Sequence, residues 1–285
     1  MCATHAPGFS SEQVLVTAGS MELIDLVLRG FCKKGLLINE PSYQVYETKA
    51  LQSGLLVHKV LLKDDFSLNI DELRSHSKSA DVLLLINPNN PTGSLVSPGE
   101  LEAILKFFDG TIVIDEAYIE FAGMEHSLAR YALSRPNIVV FRSFSKAWGL
   151  AGIRLGYALA PHQIVMTLMA LKNAYNVSAI AQNIGLQALR QRDGLMEYVK
   201  DCLRQKELLL SELHKHGIQT KDTHANFILV KVPDSHRLHN YLKDKGILVR
   251  HRGHQPLLED TIRITVGASH ENTELVASIE EFLNA

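Results

Sequence analysis

The sequence predicts an α/β fold with a mainly parallel central sheet, helices on both faces and a smaller α+β region behind it. Apolar runs of strand length alternate with stretches of helical length as far as about residue 160. The central runs are continuous Val, Ile and Leu, which is typical of parallel strands that are buried on both faces. Beyond Pro161 long helical stretches precede short apolar runs, which indicates a second region.

The first region contains five predicted strands and the helices that connect them. The strands cover residues 36–38, 55–60, 82–86, 111–114 and 138–141, and residues 153–159 are a further candidate. The predicted helices cover residues 21–31, 42–53, 97–108 and 125–134, of which the last three are crossover helices.

The second region begins with a long helical stretch from residue 166 to about residue 216, rich in good helix formers. Strands are predicted at residues 227–232, 247–249 and 262–266, with helices at about 235–245 and 270–283. We therefore expect a large domain over residues 1–175 and a bridging helix with a small domain over residues 176–285.

Composition excludes several classes of protein. The chain has 285 residues and a formal net charge of −2, without the basic excess of a nucleic-acid binder. We find no apolar run near the roughly 20 residues that a membrane span needs, and no signal peptide at the start. Its 3 cysteines form no disulfide framework, and its 13 histidines show no metal-binding spacing. These features predict a soluble cytoplasmic enzyme without a metal, membrane or nucleic-acid partner.

Three polar side chains follow consecutive predicted strands. Asn90 precedes Asp115 by 25 residues, and Asp115 precedes Lys146 by 31, each close to one βαβ unit. Each residue alone has an ordinary explanation: a turn, a helix cap or a surface lysine. Ligands of open α/β sheets bind beyond the carboxyl ends of the strands, so the three together favour a functional site.

Four segments carry a resemblance to a known family: TAGSMELID, INPNNPTGS, VIDEAYIEF and SFSKAWGLAGIRLGY. Together they resemble the pyridoxal-phosphate-dependent aminotransferases of fold type I (class I and II), most closely the histidinol-phosphate aminotransferases. The likeness runs from Glu12 to the C-terminus. It implies a fold type I transferase with pyridoxal 5′-phosphate, an amino donor and a 2-oxo acid as substrates, and a homodimer.

The resemblance also implies roles around the cofactor ring. Lys146 would bond to the cofactor aldehyde and later move the substrate's α-proton as general base. Asp115 would keep the pyridine nitrogen protonated, so that the ring accepts electrons. Asn90 and Tyr118 would hydrogen-bond the phenolic oxygen, and Tyr43 would stack on the ring.

The cofactor phosphate would lie at the start of a helix, where free N–H groups and the helix dipole attract anions. Its ligands would be Gly19, Ser20, Met21, Ser143, Ser145 and Arg154. Met21 departs from the acidic or small residue common in the family, but a backbone contact would tolerate it. An ordinary capped helix remains an alternative explanation for Gly19 and Ser20. Plain loop hydroxyls remain the alternative for Ser143 and Ser145.

Substrate recognition rests on three residues of the second region. By resemblance, Arg263 would bind the α-carboxylate or its equivalent in the 2-oxo acid, and Arg250 would reach a substrate phosphate. Asn226 would hydrogen-bond near the substrate. Arg250 can also be explained as part of a solvated basic turn. Asn226 can also be explained as an ordinary turn asparagine.

The family's chains begin several tens of residues earlier, with an arm that reaches the partner subunit. The residues before Glu12 do not resemble that arm. Three explanations remain: a start codon placed too late, a fragment of a longer chain, or a gene that lost its first part. If the front is lost, we expect cofactor binding with weak or no turnover. The alternatives are an aromatic-amino-acid aminotransferase, a threonine-phosphate-decarboxylase-like enzyme and a truncated, non-catalytic relative.

Overall fold

The computed structural model describes residues 6–284, and residues 1–5, for which we predict no signal peptide, lie outside the described part. A seven-stranded sheet forms the centre, in the order β1-β7-β6-β5-β4-β2-β3. Its strands are β1 (Val14–Thr17), β2 (Gly35–Glu40), β3 (Leu56–Leu61), β4 (Val82–Ile86), β5 (Thr111–Asp115), β6 (Ile138–Ser143) and β7 (Gly156–Leu159).

Strands β2 to β6 pair in parallel, whereas β7 runs antiparallel to both of its neighbours, β6 and β1. The predicted fold class and the five predicted central strands are confirmed. The sequence analysis missed β1, because four residues with alternating half-burial give only a weak signal. The further candidate at 153–159 is shorter than predicted, since β7 begins at Gly156.

Helices cover both faces of the sheet. In β4, Leu83 and Leu85 pack into one apolar cluster, whereas Leu84 and Ile86 pack into another, because successive strand residues point to opposite faces. The helices of this region are α1 (Ser20–Phe31), α2 (Val45–Gln52), α3 (Ile70–His76), α4 (Pro98–Ile104), α5 (Ile119–Ala122), α6 (Tyr131–Ser134) and α7 (His162–Leu171).

The predicted helix at 125–134 is wrong. A short 3-10 turn, Met124–His126, and α6 are separated by extended chain. There the N–H of Leu128 and the hydroxyl of Ser127 donate to the buried carboxylate of Glu116, at 2.6 and 2.8 Å. These bonds to a buried charge hold the segment out of a continuous helix, since a buried carboxylate needs donors.

The remaining chain forms an antiparallel sheet of four strands in the order β10-β11-β9-β8. It has its own apolar cluster, in which Leu209, Ile228, Ile262 and Leu275 are buried. Its elements, with two preceding helices, are α8 (Ala179–Arg190), α9 (Arg192–Lys215), β8 (Gln219–Lys221), β9 (Phe227–Lys231), α10 (Ser235–Asp244), β10 (Arg250–His251), β11 (Thr261–Thr265) and α11 (Ser269–Leu283).

The stretch 166–216 is mostly helical, as predicted, and it is divided among three helices: α7 ends at Leu171, and the side chain of Ser178 caps α8, accepting from Ala181 N. One prediction for this part needs correction. The strand predicted at 247–249 lies at Arg250–His251 instead, where the pairing with β11 begins. The domain boundary near residue 175 stays a prediction. No helix among residues 6–284 is long and apolar enough to cross a membrane.

Candidate active site

A cavity of about 600 Å³ opens at the carboxyl ends of the parallel strands. Ten of the eleven residues predicted to bind the cofactor line it, and Tyr46, Ile86 and Ala117 complete the lining. The remaining one, Gly19, lies beside it: a Cβ added to Gly19 would come within 2.8 Å of Nη2 of Arg154. The sheet topology therefore brings the predicted residues together, as the strand-end argument requires.

Asp115 ends β5 and is buried at the floor of the cavity. Its Oδ1 accepts from the N–H of Ala117 at 2.9 Å, and its Oδ2 accepts from the hydroxyl of Tyr46. Burial raises the pKa of the Asp115 carboxyl, although Tyr46, Ala117 and the charge of Lys146 oppose the rise. The carboxylate thus lacks full compensation, and a cation in the cavity would stabilise it.

The sequence analysis missed Tyr46. It lies in the first turn of α2 and is 1% exposed, with its ring edge-on to Tyr43 at a centroid distance of 5.6 Å. Burial, followed by the charge of Asp115, raises the pKa of Tyr46 well above its usual value, so the hydroxyl remains a donor. The spacing of three between Tyr43 and Tyr46 indicates only that the two rings meet on one face of a helical turn, and it does not predict the contact of Tyr46 with Asp115.

Lys146 lies on the loop between β6 and β7. Antiparallel pairing of Ser143 with Gly156 closes this loop at its base, and Phe144 N donates to Leu155 O at 3.0 Å. Nζ of Lys146 lies 4.9 Å from the ring centroid of Tyr118. An ammonium over an aromatic face is stabilised by the ring quadrupole, so Tyr118 helps to place the amine.

The opposite end of the cavity suits an anion. Gly19 caps the N-terminus of α1 with a φ of 82°, a conformation that favours glycine. Arg154, from the same loop as Lys146, faces that helix end, and its Nη1 donates to Ala151 O at 3.0 Å. Arg154 has a left-handed φ of 53° and precedes β7, which corrects its placement within a predicted strand. A helix N-terminus beside a guanidinium is an arrangement that binds phosphate.

Arg263 of the antiparallel sheet contacts the cavity through Asn90, although neither Arg263 nor Arg250 is among the lining residues. Nη1 of Arg263 on β11 donates to Oδ1 of Asn90 at 2.7 Å, and its guanidinium lies 4.9 Å from the ring centroid of Phe227. Burial lowers the pKa of Arg263. Arg250 is exposed and pairs directly with Arg263 across the strands. Asn226 is not among the lining residues.

A buried ion pair supports the site from below. Nη2 of Arg142, at the end of β6, donates to Glu116 Oε2 at 2.9 Å, and both side chains are almost fully buried. Glu116 follows Asp115 directly, so this pair holds the backbone that carries the Asp115 carboxylate. The sequence offered a signal, an acid and an arginine at the ends of adjacent strands, which the analysis did not use.

Known proteins share this architecture. The family model for aminotransferase class I and II matches residues 5–281. The histidinol-phosphate aminotransferase of Flavobacterium johnsoniae is 35% identical over 275 residues, 94% of this chain and 78% of that protein. The crystal structure of the one from Clostridium acetobutylicum matches with a TM-score of 0.89 and 25% identity over 95% of this chain and 84% of that chain.

A third comparison supports the fold alone, because the identity is only 24%. The histidinol-phosphate aminotransferase of Sinorhizobium meliloti, solved in complex with pyridoxal-5′-phosphate, matches with a TM-score of 0.90 over 99% of this chain and 80% of that chain.

Proposed function

This chain belongs to the class I and II aminotransferase family, and from that premise we propose that it transfers the amino group of histidinol phosphate to 2-oxoglutarate with pyridoxal 5′-phosphate. The products would be imidazole acetol phosphate and glutamate, in histidine biosynthesis. The observation that carries the proposal is the meeting of an amine and a buried carboxylate, in Lys146 and Asp115, at a cavity whose Asn90 is hydrogen-bonded by the guanidinium of Arg263. The names of the similar proteins support this choice of substrate.

The residues present fit pyridoxal phosphate. Asp115, a buried carboxylate whose pKa burial raises, would be stabilised by a protonated ring nitrogen. Gly19 leaves open the space beside Arg154 that a side chain would fill, where a phosphate would receive donors from α1. When bound, the cofactor supplies an electron-accepting ring that stabilises negative charge at the substrate's α-carbon.

Four side chains of the cavity would position the reacting groups. Lys146 would hold the cofactor aldehyde through Nζ and, once the donor displaces it, move the proton of the donor's α-carbon. Asn90 accepts from Arg263 through Oδ1, so its amide N–H groups are the ones that would donate to the phenolic oxygen. Tyr118 would donate to the same oxygen, and Tyr43 would cover the ring.

Both substrates would use the arginines of the antiparallel sheet in turn. Arg263 would bind a carboxylate of the 2-oxo acid through its planar, bidentate guanidinium. Arg250, exposed on the neighbouring strand, would reach the phosphate of the donor. The placement of Asn226 beside the substrate stays a prediction. Asn226 precedes β9, and its backbone carbonyl accepts a hydrogen bond from Val266 N at 2.9 Å.

We include a homodimer and a cytoplasmic location in the proposal. Large apolar side chains are exposed around α7 and α8: Tyr175 is 95% exposed, Ile180 72% and Met166 52%. Such a group of exposed apolar residues supports an interface with a second copy. Sedimentation equilibrium of the purified chain would measure the dimer, and a monomer at micromolar concentration would contradict it.

The test is a single-turnover experiment on the cofactor-loaded enzyme. Histidinol phosphate should change the absorbance of the bound cofactor as the amino group is transferred, and 2-oxoglutarate should reverse the change. Lys146→Ala should abolish it, whereas Lys78→Ala, at an exposed lysine, should not. A faster reaction with phenylalanine would contradict the substrate, and a protein that binds the cofactor but reacts with neither donor would contradict the function.

A further inference from the structure

Glu120 carries a largely buried carboxyl group that does not line the cavity. It lies in the first turn of α5, and its Oε2 atom is buried without a hydrogen-bond partner among residues 6–284. Burial raises the pKa of Glu120 to about 7, although its own N–H, the charge of Arg142 and a hydrogen bond from the indole of Trp148 lower it. Glu120 therefore changes charge near neutral pH, and the indole is one of the groups that respond.

The indole of Trp148 connects this carboxyl group to the loop of Lys146. Lys146 and Trp148 belong to one turn, which the N–H of Gly149 closes by donating to Lys146 O at 2.9 Å. The ring of Trp148 also packs against Phe144 at a centroid distance of 5.3 Å. Because the turn is closed, a displacement of the indole moves the backbone that carries Lys146.

Two contacts join this turn to the segment that leads into α5. Nζ of Lys146 lies 4.9 Å from the ring centroid of Tyr118. Two residues further along each segment, the indole of Trp148 donates to Glu120. The segments also share an apolar cluster, in which Ala147 is buried. The outer contact thus lies where it can set the position of the inner one.

The groups around Glu120 favour a stronger bond to the indole when the carboxyl group is ionised. The charge of Arg142 on β6 lowers the pKa of Glu120, whereas the charge of Glu116 raises it. From α9, the ring of Tyr198 meets Phe121 at 6.5 Å, and burial raises the pKa of that phenol, so it stays neutral near pH 7. An ionised acceptor forms a hydrogen bond roughly twice as strong as a neutral one. The indole is therefore held more firmly above neutral pH than below it.

We propose that Glu120 is a positioning residue, whose ionised carboxylate holds the indole of Trp148 and thereby fixes Lys146 beside Tyr118. This inference rests on the proposed function, in that Lys146 is the residue that holds the cofactor. The cofactor should then be released more slowly when Glu120 is ionised. Glu120→Gln keeps the size and an acceptor oxygen but removes the charge, so it should behave like the neutral acid at every pH.

The first test measures the rate at which the loaded enzyme releases pyridoxal phosphate on dilution, at pH 5.5 and at pH 8.5. At pH 8.5 Glu120→Gln should release it about 5- to 10-fold faster than the unsubstituted enzyme, the factor that separates a hydrogen bond to a charged group from a neutral one. At pH 5.5, where Glu120 is protonated, the two rates should agree. The matched control is Glu207→Gln, at an exposed glutamate of α9, which should leave both rates unchanged.

The second test observes the contact itself. Trp148 is the only tryptophan of the chain, so ¹⁵N labelling of tryptophan gives a single indole N–H signal in the NMR spectrum. In the loaded enzyme its chemical shift should change with a midpoint at about pH 7, and Glu120→Gln should remove that step. An indole signal without this step overturns the contact on which the inference depends.

Trp148→Phe removes the donor of the same bond. It should speed release more at pH 8.5 than at pH 5.5, and at pH 8.5 the double variant should add little to either substitution alone, because both remove one interaction. Should Glu120→Gln not fold, Trp148→Phe decides by this comparison of the two pH values.

The pH pattern distinguishes positioning from a purely structural role. Release that is faster by the same factor at both pH values in Glu120→Gln, or unchanged at pH 8.5, overturns the inference even in an enzyme that transaminates histidinol phosphate. The expected pattern in an enzyme that transfers no amino group supports the inference and contradicts the proposed function.

Discussion

Tyr46→Phe isolates the hydroxyl that donates to the buried carboxylate of Asp115. Both side chains are buried, at 1% and 5% exposure, so the packing of the ring survives and the hydrogen bond is lost. A hydrogen bond to a charged group contributes about 1.5–3 kcal/mol, against about 0.5–1.5 kcal/mol between neutral groups. We therefore expect the free energy of unfolding to fall by about 1.5–3 kcal/mol at pH 8.

The decrease in the free energy of unfolding caused by Tyr46→Phe should be smaller in acid. Burial raises the pKa of Asp115 in the folded chain above its ordinary value of 3.8, so the folded chain keeps this proton to a higher pH than the unfolded chain. The contribution of Asp115 to the free energy of unfolding therefore falls as the pH rises from the ordinary pKa to the raised one. Because the Tyr46 hydroxyl holds that pKa down, Tyr46→Phe raises it further and enlarges the fall in stability. Below the ordinary pKa only the neutral bond, about 1 kcal/mol, is lost.

Urea unfolding of the cofactor-free chain at pH 3 and pH 8 measures both values. The matched control is Tyr131→Phe, whose hydroxyl donates to the exposed Glu102 at 2.8 Å, so its loss of stability should be smaller. A Tyr46→Phe penalty that is equal at the two pH values, or no larger than that of Tyr131→Phe, would refute the reasoning.

Two further substitutions test the scaffold. Glu116→Gln leaves the buried Arg142 without its ionic partner at 2.9 Å, so we expect the free energy of unfolding to fall by about 3–5 kcal/mol. Calorimetry should show a Tm lower by roughly 6–20 °C. A shift below about 3 °C would contradict this expectation. Gly93→Ala places a Cβ 2.0 Å from that of Thr223 at a φ of 69°, so its Tm should fall well below that of Gly54→Ala, where φ is 71° and the space is open. Equal Tm values for the two glycine variants would rule out the steric argument.

The parts of the site that the sequence predicted share one property. Asn90, Asp115 and Lys146 each follow a strongly apolar strand, and the parallel topology aligns such positions whatever the intervening helices do. Their placement around one cavity depends only on local pattern and on the order of the strands.

The missed residues depend on contacts that local pattern does not encode. Tyr46 lies 69 residues from Asp115 in sequence, and a tyrosine in a short helix is indistinguishable from ordinary core. The helix predicted at 125–134 was wrong because the buried carboxylate of Glu116 outweighs helix propensity.

The loop from Phe144 to Leu155, pinned at its base by β6 and β7, carries both the amine of Lys146 and the guanidinium of Arg154. The conformational entropy of closing this loop is lost when the sheet forms. A ligand that contacts both Lys146 and Arg154 therefore finds the two groups already held at a fixed separation. Arg250 and Arg263 belong to a different sheet, and the bond from Arg263 to Asn90 joins them to the residues around the cavity. Substitutions at these two arginines therefore leave the separation between Lys146 and Arg154 unchanged, so the two parts of the site can vary independently.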